Sequence, residues 1–333
     1  MSVNNYKRDF CEAVLRLLWQ QWCALGVAGY AEGQHARRVL DPEALMLFSA
    51  AFCRYEPRLY DQMACWMMKY SRLLNPVRLK ALAESAAYKD LRSLAYLAAL
   101  CVEAGDIRWK RAAEVGRHTA WAEEEREALF RSPEDASALF SRGEDATALQ
   151  YGFLRSQFAP RNKIRQKPDL TPSTLLLRIR SMMGVTARAE VVLLLLESPC
   201  NIQQLSERSG FGRSAVKAVL DELVLGNLVC KVQKKEGKSS IYTLSDGGVC
   251  RSLAGGSAVR FPRWSAVYDS LGKIWQLISQ PLMEKVSADT FRGELCRLFR
   301  ENLRPALLYC GIPELETLTE TSIWKLPNIM EQI

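Results

Sequence analysis

Histidine is nearly missing from this 333-residue chain: His35 and His118 stand alone in unrelated segments. A hydrolase built on an imidazole base and a zinc site built on imidazole nitrogens both lose their main component. Cysteine occurs ten times but never as Cys-x-x-Cys. Cys11, Cys23, Cys53, Cys65, Cys101, Cys200, Cys230, Cys250, Cys296 and Cys310 stand singly, most within apolar helical runs, the pattern of reduced thiols serving as small core hydrophobes. No aliphatic run nears the about 20 residues of a membrane span, Val191–Leu196 being far shorter. The N-terminus carries Asp9 and Glu12 where a secretory signal would be apolar, so a cytoplasmic location is expected. Glycine and proline are modest while leucine, alanine and tryptophan are plentiful, which favours a mainly helical chain. Gly237-Lys238-Ser239 imitates the end of a phosphate loop, but Val232 stands where its first glycine belongs, and a strand follows instead of a helix. These absences leave no nucleophile–base–orienter set, so neither an enzyme nor a cofactor or metal is expected.

What is present is positive charge, unevenly placed. The net charge is +8, yet residues 1–150 hold 20 basic and 20 acidic side chains. Residues 151–185 hold seven basic against one acidic, residues 186–246 eight against seven, and the remainder ten against nine. Nearly all the excess therefore lies in one segment, an electrostatic footprint for a polyanion unless it is only a solvated linker.

Along residues 1–150 the spacing predicts a helical, bundle-like domain. Phe10, Val14, Leu17, Leu18 and Trp22 share one helical face. Asp41-Pro42 reads as a cap with proline opening the helix Glu43–Arg54, Glu56-Pro57 and Asn75-Pro76 each start another, and Leu91–Val102 makes a fifth. The stripe Met63, Trp66, Met67, Met68 and Tyr70 reads as core in preference to a ligand pocket. Glu123–Glu125 reads as a solvated helix face, and the echo LFRSPEDASA/LFSRGEDATA as two helix starts capped near Ser132 and Ser141. Residues 151–170 form a basic linker or arm, with Arg155, Arg161, Lys163, Arg165 and Lys167 between prolines. Thr171-Pro172 then opens a helix to about Met183, with Leu175, Ile179, Met182 and Met183 on its apolar stripe and Arg178 and Arg180 off it. Residues 262–333 return to helices, where Trp264, Val267, Tyr268, Leu271, Ile274, Trp275 and Ile278 form a stripe for the N-terminal helices or for a second subunit.

The organising stretch is Thr186–Asp246: an apolar helix, two short helices about a tight turn, and two strands around a polar tip. Asn201 with Gln204 fits a capping box, and Gly210 supplies the left-handed turn. Val216, Leu220, Leu223 and Val224 mark the inner face of the third helix, leaving Arg213, Ser214, Lys217 and Asp221 outward.

LSERSGFGRSAVKAVLDELVLGNLV with its Lys-rich hairpin resembles the bacterial winged-helix repressors of the ArsR and MarR type. MGVTARAEVVLLLL is similar to the helix that precedes the turn in ArsR-like proteins, and the resemblance spans residues 171–246, within a domain placed at 171–250. It implies a central winged helix-turn-helix with a small β-hairpin wing, whose third helix enters the DNA major groove. Arg213, Ser214 and Lys217 would face base edges, and Lys234, Lys235, Lys238 and Ser239 at the tip would meet phosphates. The Cys-x-Cys metal signature of ArsR proteins is absent, so metal sensing does not carry over.

The expectation is a mainly α, cytoplasmic regulator of transcription, a repressor, that binds double-stranded DNA as a homodimer. Arg161, Lys163, Arg165 and Lys167 of the arm would add phosphate contacts. The alternative is a non-catalytic protein-interaction scaffold, in which the helical domain binds a protein partner and a near-neutral winged helix no longer binds DNA.

Overall fold

A computed structural model of the chain describes residues 2–29, 38–118, 121–139, 143–160, 163–167, 169–233, 240–245, 252–255 and 258–333. The fold is mainly helical. The five N-terminal helices are α1 (Val3–Ala24), α2 (Pro42–Phe52), α3 (Pro57–Tyr70), α4 (Pro76–Ser85) and α5 (Leu91–Glu103); all but α3 carry a side-chain cap. Asp41, Asn75 and Asp90 accept the backbone N–H groups of Ala44, Val77/Arg78 and Ser93, and proline fills the first turn of α2, α3 and α4. Met63, Trp66, Met67 and Tyr70 are buried, so the stripe on α3 is core; Trp66 packs edge-on to Trp22 at 5.2 Å and donates to Leu25 O at 2.8 Å.

Residues 121–160 depart from expectation. Glu123–Glu125 is an exposed 3₁₀ turn, not a helix face. Ser132 starts a tight loop, closed by Ser132 N–H to Ser137 O at 2.8 Å and a bridge from Arg131 to Ala138. Its hydroxyl accepts from Glu134 N at 3.2 Å, the turn use of the same side-chain chemistry that a helix cap employs. Ser141 lies outside the described residues. Two short strands, β1 (Glu127–Ala128) and β2 (Phe153–Leu154), pair in parallel.

The basic segment is not a free arm. An isolated antiparallel bridge joins Ile164 to Val27, and Arg165 N donates to Gly26 O at 2.9 Å. Lys69 Nζ and the Tyr70 hydroxyl donate to the Arg165 carbonyl at 3.0 and 2.6 Å. Arg155 is buried against Asp61 at 2.9 Å, with its guanidinium over the rings of Phe130 and Phe158.

After a 3₁₀ turn at Pro172–Thr174 comes α6 (Leu175–Met183), ended by Gly184, then α7 (Ala187–Glu197). Here the expected outward position of Arg180 is overturned: its side chain is fully buried, while Met182 is 60% exposed. The reason is a set of carboxylates waiting inside. Arg180 clasps Glu43 of α2 through Nη1 and Nη2 at 2.6 and 3.0 Å. It also holds Glu190 of α7 through Nε and Nη2 at 3.0 and 2.5 Å, and gives Nη1 to Leu73 O at 2.9 Å. All five N–H donors of the guanidinium are thereby used. Arg78 joins in, pairing with Asp41 and Glu43 at 2.5 and 2.7 Å. Burial alone would raise the Asp41 carboxyl; Arg78 and the Ala44 N–H outweigh it and hold the pKa below the usual value.

Next come α8 (Ile202–Ser209), α9 (Arg213–Leu225) and the antiparallel strands β3 (Val229–Gln233) and β4 (Ser240–Leu244). The C-terminal stripe lies on α10 (Trp264–Ile278), followed by α11 (Ala288–Leu298) and, last, α12 (Leu326–Met330). That stripe is covered within the chain. Tyr268 stacks on Phe48 at 5.2 Å and donates to Gln21 Oε1 at 2.8 Å, and Trp264 Nε1 donates to Val39 O at 2.7 Å. α10 packs on α2 and α1, and α12 on α1. Among the described residues no helix is long and apolar enough to cross a membrane.

Two stability predictions follow from these ion pairs. Arg180→Ala strands two buried glutamates and should destabilise the fold by about 3–5 kcal/mol in chemical denaturation, with Arg180→Lys unable to restore the five bonds. Separately, Arg108 beside Asp106 holds that carboxyl at about 2, its side-chain bond being the largest cause. A depressed folded-state pKa contributes stability above the unfolded value of about 3.9, lost as pH falls through about 2. Denaturation midpoints between about pH 5 and about pH 2 should therefore fall less steeply for Asp106→Asn than for the native chain.

Candidate nucleic-acid interface

The segment from α7 to β4 assembles as its local chemistry requires. α7 is apolar nearly all round, and Ala189, Val191, Val192, Leu193 and Leu194 are buried. Asn201 caps α8 with the reciprocal Gln204 bond in place: Asn201 Oδ1 accepts from Gln204 N at 2.9 Å and Gln204 Oε1 from Asn201 N at 3.0 Å. Gly210 ends α8 with φ +76° and ψ +6°, a left-handed conformation a β-carbon disfavours. The turn is fastened by the Ser206 hydroxyl, which donates to Phe211 O at 2.7 Å, and by Ser209 Oγ, which accepts from Phe211 N at 3.3 Å.

α9 buries Val216, Leu220 and Leu223 against α7 and α8, with Val224 half-buried. The outward positions Arg213, Ser214, Lys217, Asp221 and Glu222 are exposed. β3 and β4 pair in the register Val229–Leu244, Lys231–Tyr242 and Gln233–Ser240, with Val229, Tyr242 and Leu244 on the buried side. A feature the sequence did not disclose is a third pairing. Cys200, between α7 and α8, exchanges backbone bonds with Tyr242 at 3.1 and 2.9 Å, and so anchors the hairpin to the helices. Its signal was slight: a single extended Pro-Cys step before the cap at Asn201.

The charge on this face is mixed. Arg213 and Lys217 are balanced by Asp221 and Glu222, and Glu222 is held by Arg188 of α7. Burial raises the Tyr242 hydroxyl pKa, Asp221 adding to the rise and Lys217 opposing it, so those two side chains act on one spot. Lys234, Lys235, Lys238 and Ser239 at the hairpin tip lie outside the described residues, as does Arg161. Of the remaining arm residues, Lys163 and Lys167 are exposed, while Arg165 is half-buried and pairs with Asp169. Arg178 donates to the Thr171 and Leu253 carbonyls at 3.2 Å. Thus Arg155, Arg165, Arg178 and Arg180 are engaged within the chain, and the basic segment offers less outward charge than its composition implied.

Among the described residues no three His, Cys, Asp or Glu side chains cluster as metal ligands. No family model, no curated protein and no solved structure matches the chain.

Nothing lies within 4 Å of a β-carbon built at Gly210, so backbone strain alone sets the effect of substitution there. Gly210→Ala should cost roughly 1–2 kcal/mol in thermal or chemical denaturation, and Gly210→Asn, which tolerates the left-handed region, clearly less.

Proposed function

We propose that the chain is a sequence-specific double-stranded-DNA-binding regulator of transcription, a repressor working as a homodimer, and that residues 171–250 form its winged helix-turn-helix. The observation that carries this reading is the outward face of α9. It follows a capped helix and a left-handed glycine turn, and presents the exposed Arg213, Ser214 and Lys217, whose side chains form no hydrogen bond or ion pair among the described residues. A helix so placed is free to enter a major groove, with arginine suited to guanine edges and the hairpin alongside for the flanking backbone. Lys163 and Lys167 add exposed cations upstream.

A second reading, a protein-interaction scaffold, is favoured by one specific observation. Asp221 and Glu222 share the α9 surface with the two cations, and exposed Leu225 and Val232 lie at its end and on β3. Such a mixed surface suits a protein partner better than a phosphate backbone.

The two readings separate in a DNA titration. Arg213→Ala and Lys217→Ala should each weaken binding to a preferred duplex by roughly 1–3 kcal/mol and relax base preference. Neutralising the tip lysines should instead weaken binding to all duplexes alike and flatten the salt slope. With about six to ten phosphate contacts in a dimer, affinity should fall about 10³–10⁵-fold between about 50 and about 200 mM salt. A salt-independent protein complex with no DNA binding at low salt would establish the scaffold instead.

A further inference from the structure

A cleft of about 590 Å³ opens where the end of α2, the start of α5 and α10 meet. Its deepest cation is Arg54, on the 3₁₀ turn after α2 (Cys53–Tyr55). Arg54 is buried and fully tethered: Nε donates to Leu129 O at 2.8 Å, Nη2 to Ala128 O at 3.0 Å, and Nη1 pairs with Asp90 at 2.5 Å. Arg92, in the first turn of α5, and Arg131, beyond β1, line the same cleft. Both give Nη2 to one carboxylate, that of Glu127, which also lies 3.2 Å from Arg54. Lys89 completes the wall, with Nζ donating to Ala83 O at 2.5 Å.

Three arginines thus share two carboxylates, Asp90 and Glu127. Among the described residues the Arg92 and Arg131 side chains make no other hydrogen bond, and the Arg92 guanidinium lies over the rings of Trp121 and Phe153 at 5.2 and 4.7 Å. Burial is the largest influence on both and lowers their pKa; Asp90 partly offsets it at Arg92, and Arg54 repels both. That is the direction expected of cations short of counter-ions.

The opposite wall is aromatic. Trp275 of α10 sits edge-on to Tyr55, 5.2 Å between ring centres, and donates to its hydroxyl at 3.3 Å. Tyr88 is seated by Gly272: a β-carbon there would fall 2.2 Å from that of Tyr88, so only glycine lets α10 approach this closely. Ser279 and Gln276 form the exposed lip.

We propose that this cleft binds a small molecule that joins a dianionic group, a phosphate or a pair of carboxylates, to a flat ring. The volume lies in the range of small-ligand sites, guanidinium forks match oxyanions, and the half-buried Tyr55 and Tyr88, backed by the buried Trp275, offer aromatic surface to a ring. A nucleic-acid backbone fits less well, because Arg54 lies at the bottom, its side chain only 8% exposed. The site is independent of α9 and does not rest on the DNA reading.

Calorimetric titration of the full chain with adenosine monophosphate, phthalate and inorganic phosphate tests it. At least one ring-bearing dianion should bind saturably and at least about tenfold more tightly than inorganic phosphate; which one binds separates phosphate from dicarboxylate. Arg131→Gln, and independently Ser279→Glu at the exposed lip, should each weaken that binding by about tenfold or more, with far-ultraviolet circular dichroism unchanged. Ser279→Glu adds an anion without disturbing the arginine cluster, so the test survives if Arg131→Gln misfolds. Ring-bearing dianions that bind no better than inorganic phosphate, or binding unmoved by Ser279→Glu, would overturn the proposal.

Discussion

The five bonds of the Arg180 guanidinium join the two halves of this molecule. They connect α2 and the turn after α3 to α6 and α7, so one buried side chain bonds the N-terminal body directly to the helices on which α9 packs. Glu43, Glu190, Asp41 and Arg78 complete the cluster, and all five charged groups lie out of water or nearly so. Such clusters need not add net stability compared with apolar packing, but every member is required once the others are present. They also specify geometry, since a guanidinium fork accepts few carboxylate arrangements. Here the geometry specified is the placement of α7 against the N-terminal helices.

That cluster also changes the meaning of the charge distribution. By composition the segment 151–185 reads as a footprint for a polyanion or as a solvated linker. In space much of its charge turns inward: Arg155 meets Asp61, Arg180 meets two glutamates, and Arg165 meets the one acid of its own segment. The support for DNA binding therefore moves from the arm to the exposed face of α9. Another concentration of positive charge, around Arg54, Arg92 and Arg131, lies in a segment whose total charge is zero.

Helix starts and stops were legible because the signal is local: Asp41, Asn75, Asn201 and Gly210 each do what their sequence neighbours require. Apolar periodicity likewise placed the inner face of α9 and the covered stripe of α10. Reading failed where the partner lies far along the chain. Arg180 looked like a surface residue because Glu43 is 137 positions away. Cys200 looked like one more isolated thiol because its strand partner, Tyr242, belongs to the hairpin. The loop at Ser132 imitated a helix start because serine and acidic residues serve turns and caps by the same hydrogen bond. The arginine cleft was invisible for the same reason as Arg180: three cations from three elements converge only after folding.

The most direct measurement of the central claim is a footprint of the intact protein on the duplex upstream of its own coding region, at low salt. If two copies of α9 read the DNA, one protected site made of two half-sites is expected, each centred on a major groove and about 34 Å apart. Uniform or absent protection across that DNA would contradict it.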